Sequence, residues 1–318
     1  MSANPAARRL RERLDRPELL VVPGVTGALH GRLAEHAGME AIFVTGAGIA
    51  NTEFGWPDLG LVTMSETVEM AGRIVRAVDL PAIVDADTGY GNHLNVMRTV
   101  EELERLGAAA IMLEDQRAPK RCGHFAGKEV VETREMVEKL VAAGRARQDP
   151  ATIIVARTDA IATEGLERAL ERAAAYVRAG ADVIFVEAPR DEAELAAIPA
   201  AVDVPTVVNI VEGGATPLLP GAQLEVLGFR IAFFANVALR VAAASVLDAF
   251  RELRAERTTN GLLDRMLSWQ DRQALVGLDE WTALEAAIAE DARAIADGRA
   301  DRAAQVKAAI AEDARGRG

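Results

Sequence analysis

The chain has a single cysteine, Cys122, in 318 residues. One cysteine excludes an intrachain disulfide framework and fits a reducing compartment. The chain also lacks any apolar run near the roughly 20 residues that a bilayer crossing requires. Residues 6–14 are charged and predict a helix, and no apolar segment of the signal-peptide kind follows them. We therefore expect a cytoplasmic protein that has no membrane partner.

An excess of positive charge is missing as well, since the formal net charge is −12 at pH 7. Phosphate binding needs a basic face, so this charge argues against nucleic acid as a partner. It leaves room for a local cationic pocket, for which Lys120 and Arg121 are candidates. With 50% apolar and 26% charged residues, the composition is that of a globular protein.

Eight short apolar runs alternate with helical stretches, and they begin near residues 19, 41, 82, 110, 152, 182, 204 and 230. This alternation is typical of βα units around a parallel sheet that is buried on both faces. Eight units favour an α/β protein with a closed (β/α)8 barrel of the TIM type over an open doubly wound sheet. No dinucleotide-binding fingerprint follows the first run, which also counts against the open sheet.

The C-terminal part differs from the rest in being helical throughout. We expect the barrel to span residues 1–250 and a helical extension to span 251–318. The extension contains Ala-Ile-Ala-Glu-Asp-Ala-Arg twice, at 287–293 and 309–315. Two copies do not define a repeat protein, and two similar exposed helices explain them. We expect this extension to pack on the barrel or on a neighbouring subunit.

Polar side chains stand at the carboxyl ends of most of the predicted strands. In a βα barrel these ends meet on one face, where active sites are built. Turn formation or helix capping would explain Thr45 or Asn209 alone, but Arg157 and Glu187 are poor turn residues. We therefore predict a functional site formed by Thr45, Asp85, Asp87, Glu114, Arg157, Glu187 and Asn209.

Asp85, Asp87 and Glu114 are carboxylates on adjacent predicted strands. Their oxygen atoms suit a hard cation, and Mg²⁺ fits best because it takes few protein ligands and keeps several waters. We predict a Mg²⁺ site, with Mn²⁺ as a substitute ion. The alternative is repulsion between the acids that is relieved by raised pKa values or by Arg157.

The loop after the fourth predicted strand holds Lys120, Arg121, Cys122, Gly123 and His124 in succession. The cations favour the thiolate and lower the pKa of the thiol. A glycine-containing loop can also close over a substrate and exclude water. These residues indicate lyase or isomerase chemistry on a small 2-hydroxy or 2-keto carboxylate, with the thiol moving a proton at carbon. A solvated basic loop with one cysteine is the alternative.

Several motifs resemble those of the isocitrate lyase/phosphoenolpyruvate mutase superfamily, namely residues 57–60, 85–92, 114–116, 120–124, 156–160 and 209–217. The resemblance extends from about residue 8 to 290, and the Lys-Arg-Cys-Gly-His loop is highly specific. It implies a (β/α)8 barrel whose last helix swaps between subunits of a homotetramer, arranged as a dimer of dimers. The length and the loop are most similar to those of 2-methylisocitrate and 2,3-dimethylmalate lyases.

The resemblance also implies a role for each matching residue. A Mg²⁺ ion would lie near Asp85, Asp87 and Glu114, partly through water. The catalytic residues would be Cys122 as acid/base, together with Arg157 and His124. A small carboxylate substrate would be bound by Thr45, Gly46, Ala47, Asp58, Lys120, Arg121, Gly123, Glu187, Asn209 and Thr216.

Two positions depart from the pattern of the methylisocitrate lyases. Phe43 stands where they usually have a tyrosine, so that hydroxyl is missing as a base for the substrate hydroxyl. Trp269 stands at about the position of their substrate-binding arginine. An indole in place of a cation favours a smaller or more apolar dicarboxylate over a tricarboxylate.

We therefore predict a Mg²⁺-dependent carbon–carbon lyase. It would cleave a 2-hydroxy di- or tricarboxylate to a 2-keto acid and a second carboxylate, through an enolate. A carboxyphosphonoenolpyruvate phosphonomutase or an oxaloacetate hydrolase on the same scaffold is the alternative. A barrel used only for binding or assembly is disfavoured because the metal ligands, the loop thiol and the cationic anchors are all present.

Overall fold

A computed structural model describes residues 4–121, 123 and 127–307. The chain forms two compact units, Met1–Thr259 and Asn260–Gly318. In the first unit, eight parallel strands pair in chain order and close into a barrel. The predicted (β/α)8 fold is therefore confirmed, with a strand at each of the eight apolar runs.

The strands and helices of the first unit alternate as expected for βα repeats. The strands are β1 (Leu20–Val25), β2 (Ile42–Val44), β3 (Ala82–Asp85), β4 (Ala110–Glu114), β5 (Ile153–Thr158), β6 (Val183–Val186), β7 (Thr206–Asn209) and β8 (Ile231–Phe234). The helices are α1 (Pro5–Leu14), α2 (Ala28–His36), α3 (Gly46–Glu53), α4 (Met64–Val75), α5 (His93–Arg105), α6 (Thr133–Ala146), α7 (Ile161–Glu164), α8 (Leu166–Arg178), α9 (Glu192–Ala200), α10 (Gly221–Val226) and α11 (Val237–Glu256).

The first unit has two apolar cores because its strands are buried on both faces. One core lies between the barrel and the surrounding helices, and the other fills the barrel interior. Helix α1 adds Ala7, Leu10 and Leu14 to the interior core, and Arg11 donates hydrogen bonds to the carbonyl oxygen atoms of Ala151 and Thr152, just before β5. The helix thus covers the amino-terminal end of the barrel, leaving the carboxyl ends of the strands for a site.

Helix α3 has no clear signal in the sequence. Its first residues, Gly46-Ala47-Gly48, are rich in glycine, which is unfavourable inside a helix and masks the signal. Thr45 caps the helix by accepting a hydrogen bond from the backbone N–H of Gly48 at 3.3 Å. The helix therefore begins directly at the end of β2 and brings its amino-terminal turn to the barrel mouth.

The second unit is helical in its described part. A 3₁₀ helix spans Asn260–Arg265 and is followed by α12 (Trp269–Leu275) and α13 (Leu278–Ala296). The guanidinium of Arg272 lies 4.2 Å from the ring centre of Trp269, a cation–π contact. None of the helices in the described ranges has both the length and the apolar composition that crossing a bilayer needs.

Candidate active site

The carboxyl ends of the strands surround a cavity with about 480 Å³ of atom-free space, part of it continuous with solvent. Most of the residues predicted to form the site contribute to its wall. They are Thr45, Ala47, Asp58, Asp85, Glu114, Lys120, Arg121, Gly123, Arg157, Glu187 and Asn209. Strand ends that are far apart in the sequence therefore meet in one pocket, as barrel geometry requires.

Two further predicted residues adjoin the wall through Asp85. The backbone N–H of Gly46 donates to Asp85 Oδ2 at 3.2 Å, and that of Asp87 donates to Asp85 Oδ1 at 3.1 Å. Asp87 has a φ of 46°, in the left-handed region that non-glycine residues rarely adopt, so its backbone is strained. Thr216 is buried but does not line the cavity.

Cys122 and His124 lie outside the described residues. Their predicted roles as acid/base and catalytic partner therefore remain predictions. Their described neighbours Lys120, Arg121 and Gly123 all line the cavity, so both sides of Cys122 belong to the site.

Lys120 is a buried cation that joins two acids. Its Nζ lies 2.5 Å from Asp58 Oδ1 and 2.8 Å from Asp87 Oδ1. Burial disfavours the charge on Lys120, but Asp87, Asp58 and Asp85 outweigh it and raise the pKa of the ammonium well above its usual value. Burial raises the pKa of Asp87 to about 6, although Lys120 opposes this shift. The ammonium therefore stays charged and balances the acids around it.

Arg157 is the second buried cation, and carboxylates surround it. Its Nε lies 2.9 Å from Asp159 Oδ2 and 3.4 Å from Glu114 Oε2, and its Nη2 lies 3.2 Å from Glu187 Oε2. Its guanidinium carbon is also 5.2 Å from the ring centre of Phe185. These contacts on several sides hold the guanidinium in one orientation at the cavity wall, which suits recognition of a carboxylate.

The three predicted metal ligands offer oxygen atoms that fit a hard divalent cation. The backbone N–H of Glu114 donates to the carbonyl oxygen of Asp87 at 2.9 Å, so these two residues adjoin across β3 and β4. Glu114 Oε1 is buried and accepts no hydrogen bond within the described part of the chain. Burial also raises the pKa of Glu114 well above its usual value, although Arg157 opposes this. A nearby cation would relieve the cost of burying this carboxylate.

The side chains of Asp85, Asp87 and Glu114 do not form a three-ligand cluster. In residues 4–121, 123 and 127–307, no three Asp, Glu, His or Cys side chains converge on a common point for a metal. A cation held here would therefore keep water in part of its coordination shell. Mg²⁺ prefers such a shell, so the donor set still fits this ion.

Sequence reasoning missed the apolar floor of the cavity, which Phe43, Phe185 and Phe233 form. The rings of Phe43 and Phe233 stack with 4.3 Å between their centres, and Phe185 meets Phe233 edge-on at 6.0 Å. Successive side chains of a strand alternate between its faces, so Phe43 and Phe185 face the same way as Thr45 and Glu187, two residues further on. This spacing is a sequence signal for the floor, but apolar residues elsewhere in the barrel interior share the same period, so it does not identify the floor by itself.

Comparison with known proteins agrees with this geometry. A family model described as phosphoenolpyruvate phosphomutase matches residues 10–254. The 2,3-dimethylmalate lyase of Eubacterium barkeri is 43% identical over 274 residues, which cover 86% of this chain and 95% of that protein. The 2-methylisocitrate lyase of Aeropyrum pernix is 40% identical over 283 residues, which cover 89% and 91%.

Solved structures with the same fold include enzymes of several activities. Oxaloacetate acetylhydrolase in complex with 3,3-difluorooxalacetate has a TM-score of 0.86 and 32% identity, covering 91% of this chain and 99% of that one. A 2,3-dimethylmalate lyase of the PEP mutase/isocitrate lyase superfamily has a TM-score of 0.85 and 37% identity, covering 91% and 96%. A phosphonopyruvate hydrolase complex with oxalate and Mg²⁺ has a TM-score of 0.79 and 31% identity, covering 90% and 99%.

Proposed function

The chain belongs to the phosphoenolpyruvate phosphomutase family, and from this premise we propose that it is a Mg²⁺-dependent lyase that cleaves a small 2-hydroxy dicarboxylate. Relatives that cover most of the chain are named lyases, which confirms the prediction of a lyase-type enzyme. One observation carries the finer proposal: Asp85 lines the same cavity as the buried cations Lys120 and Arg157, and Asp87 adjoins Asp85 and contacts Lys120. Such a site attracts a divalent cation and an anionic substrate together.

The charge of the wall supports a dicarboxylate rather than a tricarboxylate. Among the described residues, the acids of the wall are Asp58, Asp85, Glu114 and Glu187, and its cations are Lys120, Arg121 and Arg157. Asp87, which adjoins this wall, adds a further acid, so the acids outnumber the cations and the site has no excess positive charge for an anion until a divalent cation is added. Each further carboxylate on a substrate adds negative charge to a site that has little positive charge to spare, which favours a dianion over a trianion.

The phenylalanine floor supports an alkyl-substituted substrate. Phe43 and Phe233 offer stacked ring surfaces to the cavity and no hydrogen-bonding group. Moving a methyl group from water to such a surface is favourable by about 0.8 kcal/mol for each buried carbon. A hydroxyl or carboxylate placed there would instead lose its hydrogen bonds to water. The proposed substrate is therefore a malate that carries methyl groups at C2 and C3.

The cation would be held by Asp85, Asp87 and Glu114, in part through water. When bound, it supplies positive charge next to the oxygen atoms that become negative during cleavage. Arg157 and Asn209 bind and orient the substrate carboxylates from the wall. Lys120 keeps Asp87 and Asp58 in place and adds positive charge to the mouth of the cavity.

The proposed reaction is a retro-aldol cleavage. The C2 hydroxyl loses its proton, the C2–C3 bond breaks, C2 becomes the carbonyl carbon of a 2-keto acid, and the electron pair passes to C3. Cys122 then gives a proton to C3, which completes the second carboxylate product. Phe43 cannot accept the hydroxyl proton, so a carboxylate of the wall or a water must do so.

A substrate panel tests this proposal. Purified protein with Mg²⁺ is incubated with 2,3-dimethylmalate, 2-methylisocitrate, oxaloacetate or carboxyphosphonoenolpyruvate, and products are followed by proton and phosphorus NMR. We expect pyruvate and propionate from 2,3-dimethylmalate, with the highest kcat/KM of the panel. If the dominant products were oxalate and acetate from oxaloacetate, the enzyme would be an oxaloacetate hydrolase instead. If the main product were a rearranged phosphorus compound, it would be a phosphonomutase.

Two further measurements address the cation and the thiol. We expect EDTA to abolish turnover and Mg²⁺ to restore it, and activity that survives EDTA would contradict the cation proposal. We expect Cys122→Ser to lower kcat by at least about a hundredfold, the usual contribution of general acid–base catalysis. Unchanged kcat in this variant would remove the thiol from the mechanism.

We also propose that the chain forms a homotetramer in the cytoplasm. Helix α11 supports an assembly, because it has 20 residues and no buried side chain. Its exposed side chains include Val241, Leu247 and Phe250. Apolar side chains concentrated on one exposed helix are typical of a protein–protein contact.

A further inference from the structure

Lysine is rare in this chain, and its distribution is uneven. Only four of the 36 Lys and Arg residues are lysines. Lys120, Lys128 and Lys139 are buried near the barrel mouth, and only Lys307 is exposed. Lys120 lines the cavity, whereas Lys128 does not and has no part in the proposed mechanism. A buried cation outside the cavity raises the question of what it holds in place.

Lys128 joins two segments that are distant in the sequence. Its Nζ lies 2.7 Å from Asp159 Oδ1, just after β5, and it also donates to the carbonyl oxygen of Gly123. The side chains of Lys128 and Asp159 are 2% and 0% exposed, so water does not compete for these contacts. A compact ammonium can donate in both directions from one point, which the planar guanidinium of arginine does less readily.

Asp159 connects Lys128 to the substrate side of the site. It accepts hydrogen bonds from Arg157 at both oxygen atoms, with Nε at 2.9 Å from Oδ2 and Nη2 at 3.1 Å from Oδ1. The backbone N–H of Asp159 in turn donates to Asp115 Oδ1 at 2.9 Å, which ties Asp159 to the residue that follows β4. The two cations therefore share one buried, anchored carboxylate.

Gly123 also packs directly against Arg157. A Cβ atom at residue 123 would lie 2.4 Å from Arg157 Nη2 and 2.8 Å from Glu187 Cγ. A side chain at position 123 would therefore have to displace Arg157 or Glu187. The Gly123 peptide thus lies against the guanidinium of Arg157. Lys128 donates to the carbonyl oxygen of Gly123 and also pairs with Asp159, the carboxylate that binds the same guanidinium.

Stability alone is a weak explanation for this arrangement. Desolvation of a buried Lys–Asp pair often costs as much as the attraction returns, and apolar residues of similar volume can replace such pairs without loss. The contacts do provide a fixed geometry, because all partners of Asp159 are polar groups at defined distances. The pair is therefore better explained by what it orients.

We infer that Lys128 is a positioning residue that acts through Asp159 to fix Arg157 and the Gly123 peptide relative to each other. The carboxylate-binding guanidinium and the segment next to Cys122 would then form as one unit. The inference rests on the proposed function only in assuming that Arg157 binds a small dicarboxylate. Lys128 itself touches no substrate.

Three variants test the inference: Lys128→Met, Asp159→Asn and the double variant. Their affinity for oxalate is measured by calorimetry at saturating Mg²⁺. We expect Lys128→Met to weaken oxalate binding roughly thirtyfold or more, the effect of removing one member of a buried charge pair. Because Lys128 acts through Asp159, the two losses should not add. We expect the double variant to bind oxalate with an affinity within about threefold of that of the single variant that binds it more weakly. Additive losses would overturn the inference, as would unchanged affinity of Lys128→Met.

Kinetics separate positioning from a merely structural role. With a substrate identified by the panel, we expect Lys128→Met to raise KM much more than it lowers kcat. A structural role would lower kcat through a smaller folded fraction and leave KM unchanged. A lower kcat with an unchanged KM in Lys128→Met would therefore overturn the inference. This holds even if the enzyme is a hydrolase, because the comparison of KM with kcat does not depend on which bond is broken.

Hydrogen exchange supplies a readout that needs neither turnover nor a ligand. In Lys128→Met we expect faster amide exchange in peptides covering 116–131 and 156–160 together. Lys139→Met is the matched control, because buried Lys139 donates at 3.0 Å to the carbonyl oxygen of Thr88 instead. It should accelerate exchange around residues 86–90 and leave 116–131 unchanged. The inference would be wrong if Lys128→Met and Lys139→Met gave the same exchange pattern. It would also be wrong if the wild-type protein bound no oxalate and amide exchange in Lys128→Met were the same as in wild type.

Discussion

Gly46 and Asp85 approach each other because residue 46 has no side chain. The backbone N–H of Gly46 donates to Asp85 Oδ2 at 3.2 Å. A Cβ atom on residue 46 would lie 3.0 Å from that same oxygen and 3.2 Å from Asp87 Oδ1. Both proposed cation ligands therefore lie against the backbone of residue 46, and this close approach depends on the absence of a Cβ atom. The glycine-rich start of α3 thus helps to set the positions of the ligands.

We expect Gly46→Ala to disturb the proposed cation site. The added methyl group would push Asp85 and Asp87 aside, and displacements below 1 Å are enough to lower kcat/KM roughly tenfold to a hundredfold. The measurements are kcat/KM and the Mg²⁺ concentration at half-maximal activity, which should also rise. Gly144→Ala is the control, because Gly144 is exposed in α6 and a Cβ atom there would meet no other part of the protein within 4 Å. It should keep activity and stabilise the helix by about 1 kcal/mol.

Asp159 should make stability depend on pH in a defined direction. Burial raises its pKa, but Arg157 and Lys128 outweigh burial and lower it to about 2, from an ordinary value of 3.8. A depressed folded-state pKa stabilises the protein above pH 4, and this stabilisation is lost as the pH falls from about 4 to about 2. Asp159→Asn should therefore lower the free energy of unfolding by at least about 2 kcal/mol at pH 7.

Urea unfolding of wild type and Asp159→Asn at several pH values checks this prediction. The difference between the two proteins should be constant from pH 7 to 5 and should shrink below pH 4. A difference that stayed constant down to pH 3 would mean that the loss comes from packing rather than from the charge of Asp159. A difference that grew on acidification would contradict the sign of the pKa shift.

Much of the fold could be predicted because its signals are local. Each apolar run of strand length is buried on both faces, so the eight strands stand out against the intervening helices. The polar residue that ends a strand, such as Asp85 or Arg157, is equally visible. Barrel closure then brings these ends together without any further information, which explains why most of the predicted residues line one cavity.

The remaining features could not be predicted because they depend on tertiary contacts. Lys128 and Asp159 are 31 residues apart, and nothing in their local sequences indicates that they form a buried pair. The phenylalanine floor has the apolar character of any barrel interior, so only its position beneath the polar layer distinguishes it. Glycine hid the start of α3, although there it serves the approach to Asp85.

The two tyrosines of the chain allow a comparison of two hydrogen bonds. It measures how much stability is lost when a buried carboxylate loses one of its hydrogen-bond donors. Tyr176 is buried and donates from its hydroxyl to Asp115 Oδ2 at 2.7 Å. Asp115 also accepts from Thr158 Oγ1 at 2.7 Å, and burial raises its pKa. Tyr90 instead donates to the neutral hydroxyl of Thr67 at 2.8 Å.

We expect Tyr176→Phe to lower the free energy of unfolding by about 1–3 kcal/mol, because a buried charged acceptor loses a donor. Tyr90→Phe should cost about 1 kcal/mol or less, because the acceptor that loses its donor is a neutral hydroxyl. Urea unfolding at pH 7 measures both values. Equal losses in the two variants would contradict the assignment of the cost to the Asp115 carboxylate.

The exposure of α11 leads to a prediction about assembly. Phe250 is 65% exposed, and Val241 and Leu247 are exposed on the same helix. If α11 is a contact between subunits, a charge at position 250 would be buried without a partner on association, at a cost of several kcal/mol. Phe250→Asp should therefore dissociate the proposed tetramer into smaller species, as measured by light scattering coupled to size-exclusion chromatography. Val226→Asp is the control, because Val226 is 88% exposed on α10 and lies outside α11. A Phe250→Asp protein with the same molar mass as wild type would show that α11 is not the contact, and equal dissociation by both variants would point to a general effect of added charge.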